Sequence, residues 1–186
     1  NGGGTVVQPN TDGSDMYIPI NPVGLAARLS VPLTQPMYVP QPEPISKVVG
    51  NTISYTGISN DLADLKLYFN GTVVQTGLGV STISASPVIT TAGTQTLVLE
   101  ANDGVDIRKD TIRFFVPSTV NIAALPAGVK PGINYEANTT ACTFVLFAPG
   151  KNRVSIIGDL PGSNWSEQLS YQMNKSTDGN YWWLRV

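Results

Sequence analysis

Asn70-Gly71 is the dipeptide that most constrains what this chain can fold into. Before it, residues 64–69 alternate Leu65, Leu67 and Phe69 against Asp64, Lys66 and Tyr68. After it, residues 72–76 are rich in β-branched side chains. Asn and Gly both accept the positive φ that a two-residue hairpin turn demands, so two such runs joined by this pair read as an antiparallel hairpin. A period of two is a strand period and excludes an amphipathic helix over the same residues.

The same grammar extends outward. Residues 25–31, 48–55, 82–91, 95–101 and 111–116 are further short apolar or alternating runs, and Asp103-Gly104 is a second turn signal. Residues 35–44 carry Pro36, Pro40, Pro42 and Pro44 and read as an extended edge or loop. Residues 1–23 are rich in Gly, Asn, Asp and Pro and read as a flexible lead, with residues 16–20 pairing weakly at most. Roughly seven strands spaced about ten residues apart predict an immunoglobulin-like β-sandwich over residues 24–118. A joint at residues 117–127 opens a second unit, residues 119–186.

Composition narrows the function. The 186 residues are 13% charged, with 11 Lys+Arg against 13 Asp+Glu. A net charge of −2 without a basic cluster argues against a nucleic-acid partner, because phosphate binding needs concentrated Lys and Arg. The chain has no histidine, which excludes His-based triads and the common zinc sites. Its single cysteine, Cys142, has no internal disulfide partner and reads as a small hydrophobe. No apolar run reaches the roughly 20 residues of a membrane-spanning helix. The chain begins at Asn1 without Met and reads as a processed product, consistent with a secreted or cell-surface protein.

The second unit holds all three tryptophans, Trp165, Trp182 and Trp183. Residues 143–147 form an apolar strand that ends at Ala148-Pro149-Gly150, residues 153–157 alternate, and Asp178-Gly179 turns into residues 181–186. On that last strand Trp182, Leu184 and Val186 share one face, expected to look into a core. Tyr181, Trp183 and Arg185 share the other, expected to meet water or a ligand.

These elements in this order resemble the N-terminal β-sandwich of the alpha-amylase superfamily. That sandwich is grouped with carbohydrate-binding module family 48 and precedes the barrel in branching enzymes, isoamylases and pullulanases. The resemblance is carried by Phe144, Phe147-Ala148-Pro149, Val154, Gly158-Asp159, Trp165, Met173, Asp178-Gly179 and Trp182-Trp183. The lead-in, residues 125–135, is similar to that of secreted bacterial amylase-like enzymes. The chain departs from the family where Leu160-Pro161-Gly162-Ser163 intervenes before Asn164-Trp165.

The resemblance implies an all-β chain of two consecutive immunoglobulin-like β-sandwiches, the second incomplete at its C-terminus. It would then present an open sheet edge near residues 181–186, available for edge-to-edge self-association. The resemblance also implies a non-catalytic accessory region that positions its own C-terminal catalytic barrel and holds α-glucan. The superfamily's catalytic carboxylates lie on barrel strands, and no barrel fits here. The alternative is a cell-surface interaction or adhesion module of tandem sandwiches with no enzymatic parent.

Sugar rings present C–H faces that stack on aromatic rings, while polar neighbours fix their hydroxyls. The candidate binding residues are therefore Trp165, Tyr181, Trp183 and Lys175, with Asn174 beside them. Two carboxylate pairs, Asp159 with Glu167 and Asp61 with Asp64, occupy turns, where acidic residues are ordinary. Two oxygen-rich sets, Asn10 with Asp12 and Asp15, and Asn102 with Asp103 and Asp106, have spacings calcium accepts but read as turn chemistry. No cofactor and no metal is expected.

Overall fold

A computed structural model describes residues 24–31, 45–137 and 140–186. The expectations for residues 1–23 and 35–44, including the calcium-like set at Asn10, Asp12 and Asp15, lie outside the described residues. The chain is all-β and divides into two compact units, Asn1–Val116 and Pro117–Val186.

The first unit contains β1 (Ala27–Ser30), β2 (Tyr55–Phe69), β3 (Thr72–Ala85), β4 (Gly93–Asn102) and β5 (Ile107–Val116). All pairings are antiparallel, in the order β1-β2-β4-β5, with β3 also on β2. The expected hairpin is present: Asn70 and Gly71 sit at φ of 50° and 81° between β2 and β3.

The seven expected strands become five among the described residues because β2 and β3 are each long and bent. Along the β2–β3 ribbon the register jumps from Ile58↔Thr82 to Ala63↔Val80. An irregularity of this kind kinks a ribbon and sharpens its twist. The first half of β2 pairs with β1 through Thr56–Ser59, and the second half pairs with β4 through Asp64–Phe69. The two halves then face each other. A Cβ on Gly57 would lie 2.6 Å from a Leu99 methyl and 3.0 Å from one of Leu67, a residue of the same strand. β3 bends likewise, since a Cβ on Gly77 would lie 2.6 Å from Ile83 and 2.7 Å from Val80.

The result is a sandwich whose core holds Leu65, Leu67, Leu97, Leu99, Ala101 and Val116, all fully buried. β5 closes the side opposite the bend: Asp110 accepts the Leu29 amide at 2.6 Å, and Arg108 donates to the Leu25 carbonyl at 3.1 Å. The buried Gln95 ties the hairpin turn to β4. Its side-chain oxygen accepts from Asn70 at 2.7 Å, and its amide donates to the Thr91 and Gly93 carbonyls.

The second unit is a four-stranded antiparallel sheet in the order β6-β7-β9-β8. Its strands are β6 (Gly132–Tyr135), β7 (Cys142–Phe147), β8 (Asn174–Lys175) and β9 (Tyr181–Arg185). Two expectations are corrected here. Residues 153–157 do not form a strand. They make one bridge, Ser155↔Gln172, supported by backbone bonds from Ile156 to Tyr171 and from Met173 to Val154. The tip of this segment at Lys151–Arg153 is exposed, with no neighbouring strand among the described residues to extend it. The open edge expected near residues 181–186 is narrowed, because β9 lies between β7 and β8, but β8 pairs only with Trp182 and Trp183.

Candidate functional site

The register of the second sheet assigns each side chain to a face, because residues directly opposite one another point the same way. One face carries three rows: Asn134, Thr143 and Arg185; then Gly132, Val145, Trp183 and Asn174; then Phe147 and Tyr181. The lead-in to β6, here residues 121–131, crosses this face. It enters beside β8, where Ile122 bridges Lys175 and backbone bonds join Asn121 and Ala123 to Lys175. The indole N–H of Trp183 donates to the Ala123 carbonyl at 3.1 Å. The lead-in leaves beside β6, where Asn134 bonds both the amide and the carbonyl of Lys130 and also donates to the Thr143 carbonyl. Thr143 and Val145 are buried beneath it.

The opposite face also carries three rows. They are Tyr135, Cys142 and Val186; then Ile133, Phe144 and Leu184; then Leu146, Trp182 and Lys175. Only Trp182, in its third row, is well covered. Trp182 is fully buried and donates its indole N–H to the Ala148 carbonyl at 3.1 Å. The Lys175 ammonium lies 5.5 Å from the Trp182 ring centroid and donates to the Lys151 carbonyl at 3.3 Å. The remainder is open, with Tyr135 83%, Ile133 52% and Leu146 47% exposed. The expectation that Trp182, Leu184 and Val186 all face a core therefore holds for Trp182 alone. The face expected to meet water is instead the one the lead-in covers.

The sequence candidates are thus dispersed. Tyr181 and Trp183 do share a face, with Asn174 opposite Trp183. Tyr181 meets Phe147 edge to face at a centroid distance of 5.1 Å. Trp183 is half-buried, with its N–H spent on Ala123. Lys175 stands on the other face, against Trp182.

Trp165 is 71% exposed, in the turn that follows Leu160-Pro161-Gly162-Ser163. That turn is braced from within: Ser163 is buried and donates to the Gly158 carbonyl, and the Tyr171 hydroxyl donates to the Pro161 carbonyl at 2.7 Å. Asn164 and Trp165 both adopt left-handed backbone, at φ of 44° and 56°. A bulky residue held in that region and turned to solvent is unusual, and such outliers cluster at ligand sites.

The acidic candidates are engaged in local structure. Glu167 pairs with Arg153. Asp64 accepts the Gly79 amide at 3.0 Å, and Asp61 accepts from Asn60 at 3.1 Å. Asp103 accepts the amides of Val105 and Asp106, and these backbone donors hold its carboxyl below the usual range. Asn102 accepts the Gly104 amide. No cluster of three or more metal-ligating side chains occurs among the described residues.

No family model and no curated protein matches the chain. Among solved structures it is similar to the fibronectin(III)-like modules of Clostridium thermocellum CbhA, at 13% identity and a TM-score of 0.36, over 49% of this chain and 95% of that one. It is also similar to the CARDB domain of a Pyrococcus furiosus protein, at 13% identity and a TM-score of 0.36, over 50% and 93%. A third similarity is to apo β-glucuronidase 3 of Bacteroides uniformis, at 11% identity and a TM-score of 0.35, over 88% of this chain and 22% of that one. At these identities and scores the similarities bear on neither activity nor ligand.

Proposed function

We propose that this chain is the non-catalytic N-terminal accessory region of a secreted, α-glucan-active enzyme of the amylase superfamily. It positions the catalytic barrel and offers one aromatic contact to glucan, Trp165. The observation that carries the reading is the ordered motif set from Phe144 to Trp183. Its members meet in one packing unit: Phe144 and Phe147 lie in β7, Ala148 receives the Trp182 N–H, and Asp178-Gly179 makes the turn into β9. Those motif residues have structural roles, which leaves the presented Trp165 as the glucan contact. A lone stacking ring gives weak binding, so the hold on sugar is auxiliary to the barrel's own.

The test is tryptophan fluorescence titrated with maltoheptaose, with cellohexaose as control. A saturable shift with the α-glucan alone, abolished in Trp165→Ala and retained in Trp183→Phe, supports the assignment. No shift up to millimolar sugar removes glucan binding from the reading. A shift that survives Trp165→Ala moves the contact elsewhere. The rival reading, an interaction module without an enzymatic parent, draws its support from the open apolar face opposite Trp183.

A further inference from the structure

The hairpin dipeptide Asn70-Gly71 is a chemically reactive pair as well as a turn. Glycine has no side chain to shield its amide nitrogen, and that nitrogen can attack Cγ of the preceding asparagine. In the folded chain both polar atoms of the Asn70 side chain are engaged. Nδ2 donates to Gln95 Oε1 at 2.7 Å, and Oδ1 accepts the Thr96 amide at 2.8 Å. The Asn70 backbone amide donates to the Thr96 carbonyl at 2.9 Å. Gln95, only 1% exposed, cannot follow a rotation of Asn70, because its Nε2 is held by the Thr91 and Gly93 carbonyls, both at 3.1 Å. The dipeptide itself is exposed to solvent.

We propose that Asn70 is a covalent-modification site, deamidated through attack by Gly71, and that Gln95 is the residue that sets how slowly the folded chain undergoes the change. In the reaction the Gly71 nitrogen gives up its proton and bonds to Cγ. The Cγ–Nδ2 bond breaks, and ammonia leaves with that proton. Water then opens the cyclic imide at either carbonyl, giving aspartate or isoaspartate at position 70. Attack requires the carboxamide to turn out of both its hydrogen bonds, so the fold suppresses the reaction. The product does not fit the turn. A carboxylate has no N–H to donate, so its oxygen faces Gln95 Oε1, acceptor against acceptor. If the Gln95 amide turned over to answer it, the Thr91 and Gly93 carbonyls would lose that donor. Isoaspartate also adds a methylene to the main chain, which the two-residue turn geometry does not accommodate. Modification therefore loosens the tie between the hairpin turn and β4, and does so irreversibly.

The test is incubation of the whole 186-residue chain at mildly alkaline pH, folded and in urea, with peptide mapping of position 70 for aspartate and isoaspartate. The folded chain is expected to react at least about tenfold more slowly than the chain in urea, since two hydrogen bonds must break first. Gln95→Met keeps the side-chain length and removes the acceptor. With its strands confirmed by far-UV circular dichroism, it is expected to react several-fold faster than the folded wild type. Asn70→Asp is expected to lower the urea midpoint. Equal rates in the folded and unfolded chain overturn the proposal. So does a folded Gln95→Met that reacts as slowly as wild type, or an Asn70→Asp as stable as wild type. Should Gln95→Met not fold, solvent exchange of the Asn70 side-chain amide protons in the wild type reads the same bond. Protection of one of them supports the proposal, and exchange as fast as in free asparagine overturns it.

Discussion

The hydroxyl of Tyr55, at the start of β2, donates to the carbonyl of Tyr68, near the end of the same strand, at 2.9 Å. A straight strand would hold residues so far apart in sequence about 40 Å apart. The bond exists because the ribbon folds over between them, and it ties one layer of the sandwich to the other.

Tyr55→Phe keeps the ring and removes the bond, leaving the Tyr68 carbonyl without that donor. Urea denaturation of the variant is expected to show a loss of about 1–2 kcal/mol. The phenol also reports on pH. Burial raises its pKa from 10.0 to about 12. The folded state then holds the proton more tightly than the unfolded state. Its contribution to stability is complete below pH 10 and is lost as pH rises toward 12. In an alkaline absorbance titration Tyr55 is expected to contribute a component near pH 12, and that component is expected to vanish in Tyr55→Phe.

Gly57→Ala tests the fold-over directly. The added methyl would press on Leu99 and Leu67, both fully buried and without room to retreat. Overpacking of this kind costs about 1–3 kcal/mol. A lowered urea midpoint with an unchanged slope is expected, and a neutral result would place the two halves of β2 farther apart.

The tryptophans divide sharply in the second unit. Trp182→Ala empties a fully enclosed site and strands the Ala148 carbonyl, so a loss of about 3–5 kcal/mol is expected. Trp165→Ala, at a solvent-facing ring, is expected to change stability by less than about 0.5 kcal/mol. Thermal unfolding monitored by near-UV circular dichroism distinguishes the two.

Glu100 of β4 stands between Lys109 at 2.8 Å and Lys66 at 3.7 Å, a row across three strands. The Lys109 hydrogen bond, with the charges of both lysines, holds its carboxyl below the usual carboxylate range. A lowered folded pKa means a contribution present above the unfolded value of about 4.3 and lost as pH falls through the folded one. In a carbon-detected pH titration Glu100 is expected to titrate below the ordinary glutamate range, and Lys109→Ala to shift it back upward.

Much of the first unit is legible in its sequence, because the cues are local. Asn70-Gly71, Asp103-Gly104 and the alternation of Leu65, Leu67 and Phe69 each fix a turn or a face within a few residues. The joining of residues 55–58 to 64–69 as one strand is not. Residues 59–62, Ser-Asn-Asp-Leu, read as a break, and only pairing with β3 and β1 carries the strand through it. The first half of β2 is therefore set by tertiary contacts rather than by propensity. Gln95 gives no warning of its burial, since its partners, Asn70 and the Thr91 and Gly93 carbonyls, become neighbours only after folding.

In the second unit the alternation of residues 181–186 correctly separates two sets of side chains. It does not say which set is covered. The covering is done by an irregular lead-in rich in Ala, Pro and Gly, whose path over Trp183 has no periodic signature. Proximity in sequence groups Lys175 with Trp183, but the pairing of Lys175 with Trp182 turns its side chain the other way.

The bend shared by β2 and β3 has a mechanical consequence. The two strands run through both layers, so neither layer can be peeled off while the other stays intact. The ribbon thus joins the layers through the chain itself, and loosening one layer disturbs the strands that build the other.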